Sequence, residues 1–477
     1  MKVRLTRWSL ASLVLVLVFL GVPVGIHFHL KHKVAAYYAL LREKGERLDF
    51  WRDHASPPSG TSNAASAFLN LAWRFDPPVF YWVPRGDLSN GRAVPVWRYA
   101  EWIGQRTESD WEAACSELAS NEVTLAQLRQ ILLSSELNFP LRTNTYLVEL
   151  THLSRVKRVF EGFCLDTERA WCRQQMHLAH TNLLALWQLV ESLREERLIV
   201  SQQVRLNLLA LLQGLTWDGI QHPETTYDEL SAWQAQWEKV EVLRPALQAF
   251  SAGMAFNPLL YAQLRERRQG FICCDFSEYL HFSRPVIALD TGIYWPLFSS
   301  YTMELAELKL AEGARDALQK MQNGQSWQEA SPPWLALGEK QAGAKQRCIL
   351  PSHQYGLFLH KAYQKILTTV VQVEAQRRLT VAALALARYQ RKYGAYPRSL
   401  AELTPAFLPA VPLDPVDRQP LRYRLEADGR FTLYSIGADG RDDGGRSGER
   451  SLEHAPDWVW PQPATEKEFH EAELVVK

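Results

Sequence analysis

The sequence predicts a mainly α-helical protein built from an N-terminal transmembrane helix, an irregular α-helical domain with a TPR-like rhythm, and a small α+β domain at the C-terminus. Three observations predict this class. Residues 8–26 carry no charge, residues 122–250 repeat apolar side chains at helical spacing, and residues 421–433 alternate apolar and polar side chains around an Asp-Gly turn. The predicted domain boundaries are 1–33, 34–110, 111–355 and 356–477.

The N-terminal segment has the length and polarity of a membrane anchor. Nineteen uncharged residues, from Trp8 to Ile26, are enough to cross the hydrocarbon core of a bilayer. Lys2, Arg4 and Arg7 precede them, and the positive-inside rule therefore favours a cytoplasmic N-terminus. The run is long and ends without an A-x-A site, which favours an uncleaved anchor over a signal peptide. Everything after residue 33 is then expected outside the cytoplasm.

The charge balance argues against nucleic acid as a partner. The 477 residues carry a net charge of +1, and no basic stripe or basic helix stands out. A chain that binds phosphate backbones needs clustered Lys and Arg side chains, because their charge supplies most of the affinity. We therefore expect protein and membrane partners and no nucleic acid.

The middle of the chain predicts helices packed on one another. A juxtamembrane helix and aromatic-rich loops are expected over 34–110, and helical patterns over 111–355 recur every 25 to 35 residues. Thr226 and Glu229 have the spacing of a capping box, which predicts a helix beginning at Tyr227. The diagnostic TPR side chains are missing, so an irregular helical domain is predicted.

The C-terminal segment predicts a helix followed by a hairpin. One apolar helical face consists of Leu379, Ala382, Ala383, Leu386, Tyr389 and Tyr393. Gly394 and Pro397 predict its end. Ser399 and Glu402 form a second capping box. Two alternating segments then flank Asp428-Gly429, a common hairpin turn.

The loop after this hairpin carries the candidate metal ligands. Asp439, Asp442 and Asp443 stand among four glycines, and Asp457 follows as a fourth acid. Ca²⁺ takes six to eight oxygen ligands, which carboxylates and the carbonyls of a flexible glycine-rich backbone can supply. The spacing is not that of an EF-hand. The alternative is a solvated turn that binds no metal.

About 100 C-terminal residues, containing the stretches LTVAALALARYQRKYGAYPRSLAEL and FTLYSIGADGRDDGG, resemble the globular domain of the major pseudopilin of type II secretion systems. The resemblance implies a helix, a small antiparallel sheet and a calcium-holding loop. It also implies that Asp439, Asp443 and Asp457 bind the calcium ion. The N-terminus lacks the family's Gly-Phe-Thr-like cleavage site, so the resemblance is confined to the C-terminal domain.

The cysteines leave two alternatives open. Six are present, and in an oxidising compartment an even number permits disulfides, although six buried free thiols are equally compatible with the sequence. Cys164 and Cys172 are the expected local pair. No C-x-x-C motif indicates a zinc ribbon or a thioredoxin-like site.

No catalytic residue is predicted. The motifs G-x-S-x-G, H-E-x-x-H and G-x-G-x-x-G are all missing from the sequence. Ser154-x-x-Lys157 has no companion motif, and in the P-loop-like GEKQAGAK stretch Ala344 stands where the lysine belongs.

The sequence therefore predicts a non-enzymatic, single-pass protein of the bacterial inner membrane with its bulk in the periplasm. Its expected partners are other envelope proteins, including secretion or pilus-like machinery, and its expected cofactor is structural Ca²⁺. Two alternatives are an envelope hydrolase whose acid pair assembles in the helical domain, and a metal-free peptide-binding scaffold.

Overall fold

A computed structural model describes residues 7–45, 64–75, 86–87, 92–100, 111–139, 150–266, 298, 300–331, 351–446 and 456–476. The chain divides into two compact units, each formed by separated stretches of sequence. Unit 1 consists of Met1–Asp53, Phe250–Arg315 and Pro333–Gln364. Unit 2 consists of His54–Ala249, Asp316–Pro332 and Lys365–Lys477. The four-part domain division drawn from the sequence stays a prediction.

The helices are α1 (Arg7–Glu43), α2 (Ala65–Arg74), α3 (Trp111–Ser120), α4 (Glu122–Ser134), α5 (Thr151–Cys172), α6 (Met176–Ser192), α7 (Ile199–Gln221), α8 (Tyr227–Lys239), α9 (Leu243–Glu266), α10 (Ser300–Gln322), α11 (Trp327–Ala330), α12 (Pro351–Tyr393) and α13 (Glu466–Val476). The strands are β1 (Gly86–Asp87), β2 (Arg92–Val94), β3 (Arg422–Leu425), β4 (Phe431–Ser435), β5 (Trp458–Val459) and β6 (Gln462–Pro463). The mainly helical class is confirmed.

Unit 1 contains α1 together with parts of α9, α10 and α12. A buried polar network holds it together: Tyr38 donates to Glu304 at 2.7 Å, Arg265 donates to the same carboxylate at 2.7 Å, and Tyr261 donates to Glu307 at 2.8 Å. Burial raises the pKa of both glutamates. Donors on other helices satisfy these carboxylates, which is what makes their burial tolerable.

The predicted anchor, residues 8–26, lies within α1, and the side chains of residues 7–20 are outside the described part of the chain. Among the residues that the structure describes, no helix is both long and apolar enough to cross a membrane.

The helices of unit 2 pack around large aromatic side chains, with Trp171, Trp217 and Trp237 fully buried. The helices α5 to α8 have 22, 17, 23 and 13 residues, so the structure does not confirm the TPR-like regularity that the sequence suggested. The capping box is confirmed, because the Thr226 side chain accepts from the Glu229 N–H and the Glu229 carboxylate accepts from the Thr226 N–H.

The C-terminal part of unit 2 carries a three-stranded antiparallel sheet in the order β3-β4-β5. Arg422 pairs with Tyr434 and Leu425 with Phe431, which confirms the predicted hairpin. Gly429 has a φ of +82°, a backbone conformation that favours glycine at this turn. A second small sheet has the order β1-β2-β6, with β2 and β6 parallel.

The long helix α12 ends where the sequence predicts. Its last residue is Tyr393, and Gly394 follows with a φ of +78° and donates its N–H to the Gln390 carbonyl. This is the left-handed stop that glycine allows at a helix C-terminus. Ser399 and Glu402 cap a short 3-10 helix, Leu400–Leu403, as expected.

The cysteine pairing drawn from the sequence is wrong. Cys164 and Cys172 both lie on α5, eight residues apart, and an α-helix separates such residues by about 12 Å along its axis. A disulfide needs Cα atoms roughly 4.4–6.8 Å apart. Within the described residues Cys115, Cys164 and Cys172 are free thiols. The other three cysteines lie outside the described part.

Candidate functional site

The predicted metal loop connects β4 to β5, so both of its ends are held by neighbouring strands of one sheet. Residues 447–455 of the loop lie outside the described part of the chain. Gly440, Gly444 and Gly445 have φ values of +72°, +74° and +75°. These left-handed conformations turn the backbone sharply, which only glycine does without strain.

Asp457 is the buried member of the four predicted acids, whereas the other three are exposed. Its side chain is buried, and its Oδ2 accepts from the backbone N–H of Gly445 at 2.8 Å and of Asp443 at 3.1 Å. Its Oδ1 is also buried and has no partner of normal hydrogen-bond geometry within the described residues. A buried carboxylate oxygen without a donor is costly, and it needs a proton or a cation beside it.

Other carboxylates surround Asp457. Burial raises the pKa of Asp457, the backbone N–H groups of Gly445 and Gly437 lower it, and the charges of Asp442 and Asp443 raise it further. A like charge nearby disfavours ionisation, whereas a bound cation would reverse this effect. Three of the four predicted acids thus lie close enough to influence one another electrostatically.

Asp442 is exposed and partly committed to protein contacts. Its Oδ1 accepts from the Tyr434 hydroxyl and from the Gly444 N–H, both at 2.9 Å. Its Oδ2 lies 3.6 Å from Nε of Arg422. Burial, and to a lesser extent the hydrogen bond to Asp442, raises the pKa of Tyr434 to about 12. This hydroxyl therefore remains a donor at neutral pH.

Asp439 is exposed and folds back on its own turn, where its Oδ1 accepts from the Arg441 N–H at 3.1 Å. Asp443 is exposed and meets Asp457 through its backbone N–H. Over the described ranges, no three His, Cys, Asp or Glu side chains are grouped so that they could hold a metal ion. Asp457 therefore fits a cation ligand by its buried oxygen, and a complete ligand set would require the loop acids to turn inward.

A buried aspartate that sequence reasoning missed fixes the start of the loop. Asp414 is fully buried and accepts from the Ser435 hydroxyl at 2.8 Å, the Ile436 N–H at 3.0 Å and Nη1 of Arg422 at 2.9 Å. Burial raises its pKa and these hydrogen bonds lower it. Asp414 and Arg422 together tie the chain before the hairpin to the residues that enter the loop.

A second polar cluster lies among the helices of unit 2. Glu168 on α5 and Asp218 on α7 are both completely buried, and their carboxyl groups are close enough to interact through a hydrogen bond if one of them carries a proton. Two ionised carboxylates offer no hydrogen for such a bond, so one of the pair carries a proton. Within the described residues, neither oxygen of Glu168 receives a hydrogen bond of normal geometry from an N–H or O–H donor.

Burial raises the pKa of Glu168 to about 8, and the neighbouring polar groups of Asp218 and Trp97 lower it by less. Glu168 is therefore mostly protonated at neutral pH. The cluster holds one shared proton in a setting from which water is excluded. Sequence reasoning missed this pair because its members are 50 positions apart on different helices, and the only signal is a charge within an otherwise apolar helix face.

The neighbours of this acid pair are not arranged for nucleophilic chemistry. Cys172 is an exposed residue whose thiol donates to the Trp97 carbonyl at 3.2 Å, and desolvation of the sulfur followed by the Glu168 charge raises its pKa. His222 packs 4.7 Å from the Trp97 ring, and burial lowers its pKa. A nucleophilic cysteine needs a lowered pKa, which this environment does not provide.

Tryptophans close the cluster on the α7 side. A Cβ at Gly219 would lie 2.8 Å from the Trp233 ring and 2.9 Å from the Trp171 ring, so α7 touches both rings with its backbone. With no exposed surface on Glu168 or Asp218, a molecule in solution reaches them only if the helices separate. The pair therefore acts on the stability of the fold.

No protein-family model, no curated protein and no solved structure matches this chain. The resemblance of the C-terminal domain to the major pseudopilin accordingly stays a prediction.

Proposed function

We propose that this chain is a bacterial inner-membrane protein, anchored by its N-terminal helix, that binds or assembles other envelope proteins in the periplasm and carries a calcium-stabilised, pseudopilin-like C-terminal domain. The role is non-enzymatic and calcium is structural. The partners belong to secretion or pilus-like machinery.

The observation that carries the calcium part of the proposal is the buried Oδ1 of Asp457, which has no partner of normal hydrogen-bond geometry within the described residues. Asp442 and Asp443 add negative charge around it, and these charges, after burial, raise the pKa of Asp457. A cation beside this oxygen would supply the compensating positive charge and would also neutralise the neighbouring acids. Asp457 is the ligand that is already in place, with Asp439, Asp442 and Asp443 as the loop acids that join it.

Calcium bound to the folded loop and not to the unfolded chain stabilises the fold by mass action. At a free concentration about 100 times Kd, this stabilisation is about 2.7 kcal/mol. The loop gains most, because its glycines make it flexible and its acids repel one another in the absence of a cation.

The anchor is supported by the described end of α1. Val22, Val24, Ile26 and Phe28 are exposed by 53%, 54%, 46% and 62%. Residues two positions apart on a helix point to nearly opposite sides, so this stretch exposes apolar side chains on two sides, while His27 contacts the Tyr301 ring. Exposed apolar surface of this kind is what a lipid environment would cover.

Thermal unfolding of the full chain in detergent micelles tests the calcium site. We expect calcium to raise the Tm by several degrees in the parent protein and to have little effect on Asp457→Asn, which keeps the shape of the side chain and removes its charge. Asp428→Asn, in the exposed hairpin turn, is the matched control and should respond to calcium like the parent. A Tm that calcium leaves unchanged in the parent would refute the proposed site and favour a metal-free scaffold.

Membrane fractionation tests the anchor separately. The full chain should remain in the membrane pellet after alkaline carbonate extraction, and a chain that lacks residues 1–33 should be released. Release of the full chain by carbonate would contradict the anchor.

A further inference from the structure

The end of α12 carries an aromatic surface. Tyr389 and Tyr393 lie one turn apart with ring centroids 4.6 Å from each other, and the buried Phe407 ring lies 5.4 Å from Tyr389 and 6.1 Å from Tyr393. Tyr393 is 56% exposed, and Tyr227 at the start of α8 is 37% exposed. The rings rest on a regular helix and on a buried side chain, so they are held in place before any partner arrives.

Cations lie over these rings. The guanidinium of Arg388 is 4.9 Å from the Tyr227 ring centroid and 5.6 Å from that of Phe407. Nζ of Lys392 is 5.2 Å from the Tyr393 centroid and 5.7 Å from that of Phe407. Such cation–π contacts orient the positive groups without neutralising them. We name this surface the α12 patch: Tyr227, Arg388, Tyr389, Arg391, Lys392 and Tyr393.

Within the described residues no carboxylate lies within ion-pair distance of Arg388, Arg391 or Lys392, and the acid Glu402 at the edge of the patch accepts from the Tyr389 hydroxyl at 3.5 Å. Arg388 donates to the Gln234 amide oxygen at 2.8 Å and the Tyr227 hydroxyl at 2.9 Å, and Arg391 donates to the backbone carbonyls of His222 and Pro223. None of these acceptors is charged. In the part of the chain that the structure describes, Lys392 makes only its ring contacts.

Earlier in the same helix, the arginine charges are compensated by a carboxylate. Arg377 and Arg378 both bind the buried Glu374, at 2.8 and 2.7 Å. Cations near a helix C-terminus are favoured by the helix dipole, which accounts for the sign of the charge at the end of α12. It does not account for exposed tyrosines directly beneath those cations. Tyr and Arg together are the side chains that contribute most to protein–protein interfaces.

We propose that the α12 patch docks an acidic, tyrosine- or apolar-containing segment of a partner protein. Carboxylates of the partner would meet Arg388, Arg391 and Lys392, and its apolar side chains would cover Tyr389 and Tyr393. Charge complementarity of this kind selects the partner and speeds the encounter. Three cations on a compact aromatic surface suit a short acidic segment better than a phosphate backbone, which calls for an extended basic stripe.

The inference rests on the binding role proposed above and gives that role a surface and a partner chemistry. It is independent of the calcium loop, since no residue of the α12 patch is a loop acid. The docking measurements are therefore made at one fixed calcium concentration, and again in chelator, so that failure of the metal site and failure of the patch give different results.

The test uses the full chain in detergent micelles and a fluorescein-labelled random copolymer of glutamate and tyrosine, followed by fluorescence anisotropy. We expect saturable binding that weakens as salt is raised, since exposed charges are screened. Lys392→Glu should weaken binding at least tenfold, and Tyr393→Ala should weaken it severalfold at unchanged salt dependence. Lys392 and Tyr393 are exposed, and an unchanged melting temperature for each variant shows that folding is intact.

Lys467→Glu, an exposed lysine on α13, is the matched control and should bind the copolymer like the parent. Copolymer binding that is absent in the parent, or that Lys392→Glu and Lys467→Glu weaken equally, would overturn the proposal. Tighter binding of phosphatidylglycerol vesicles or of oligothymidine, lost in Lys392→Glu, would also overturn it, because it would assign the patch to a membrane or a nucleic acid.

Discussion

Replacing Glu168 by glutamine should flatten the dependence of stability on pH. Burial raises the pKa of Glu168 in the folded chain from 4.5 to about 8. Between these values the folded chain binds more protons than the unfolded chain, and its stability falls as the pH rises through that window. The stabilisation that the protonated Glu168 gives to the folded chain is complete below pH 4.5 and is lost above pH 8.

The size of the effect follows from the pKa difference. At 1.36 kcal/mol per pKa unit, the full span corresponds to on the order of 5 kcal/mol, of which about 1 kcal/mol is lost between pH 7 and pH 9. For a large domain this change in the free energy of unfolding lowers the Tm by about 2 °C. Glutamine resembles the protonated acid, because it has nearly the same shape and is uncharged at every pH.

The assay is thermal unfolding of the parent, Glu168→Gln and Glu161→Gln at pH 7 and pH 9. Glu161 is on the same helix, half-buried, and pairs with Lys157 at 3.6 Å, so it is a matched control for the loss of a charge on α5. The parent and the control should lose about 2 °C more than Glu168→Gln between the two pH values. Equal losses in all three proteins would refute the shared proton of the acid pair.

Two further predictions concern packing and acid stability in unit 2. Gly219→Ala places a Cβ 2.8 Å from the Trp233 ring, and we expect the overpacking to lower the free energy of unfolding by about 1–3 kcal/mol. Gly25→Ala, on a helix and with nothing within 4 Å of the new Cβ, should not lower it, because alanine is the better helix former. An unchanged free energy of unfolding for the Gly219 variant in a denaturant titration would contradict this contact. Burial would raise the pKa of Glu374, but its two arginine partners outweigh burial and lower the pKa to about 2. The ionised Glu374 therefore stabilises the folded chain above pH 4.5, and this contribution is lost as the pH falls towards 2. Glu374→Gln should therefore cost roughly 3 kcal/mol at pH 7 and less at pH 3, and an equal loss at both values in urea unfolding would argue against the ion pairs.

The features predicted correctly are the local ones. The Thr226 cap, the Gly394 stop and the Asp428-Gly429 hairpin each depend on residues a few positions apart, and the sequence contains all the partners. Turn and cap chemistry is decided at this range, before tertiary contacts contribute.

The features that were missed depend on distant partners. Asp414 gains the hydrogen bonds from Ser435 and Ile436 only when β4 brings these residues to it. Glu168 comes close to Asp218 only when α5 packs on α7. In the sequence each of these acids looks like an ordinary surface charge. The Cys164–Cys172 pairing was wrong because both cysteines lie on one continuous helix, which the sequence did not indicate.

The metal loop combines local features, which the sequence indicates, with a distant contact, which only the fold shows. Its glycines and acids are local features, and the turns at Gly440, Gly444 and Gly445 follow from them. Asp457 comes from beyond the loop, and its burial beside Asp443 and Gly445 depends on β5 pairing with β4. The sequence indicated which acids to consider, and only the fold distinguishes the buried Asp457 from the exposed others.

Calorimetric titration of calcium into the full chain, beside Asp457→Asn, tests the central claim most directly. A parent that binds one calcium ion with measurable heat, and a variant that binds none under the same conditions, would agree with a structural cation at the buried oxygen of Asp457. Equal calcium binding by both proteins, or none by either, would contradict it.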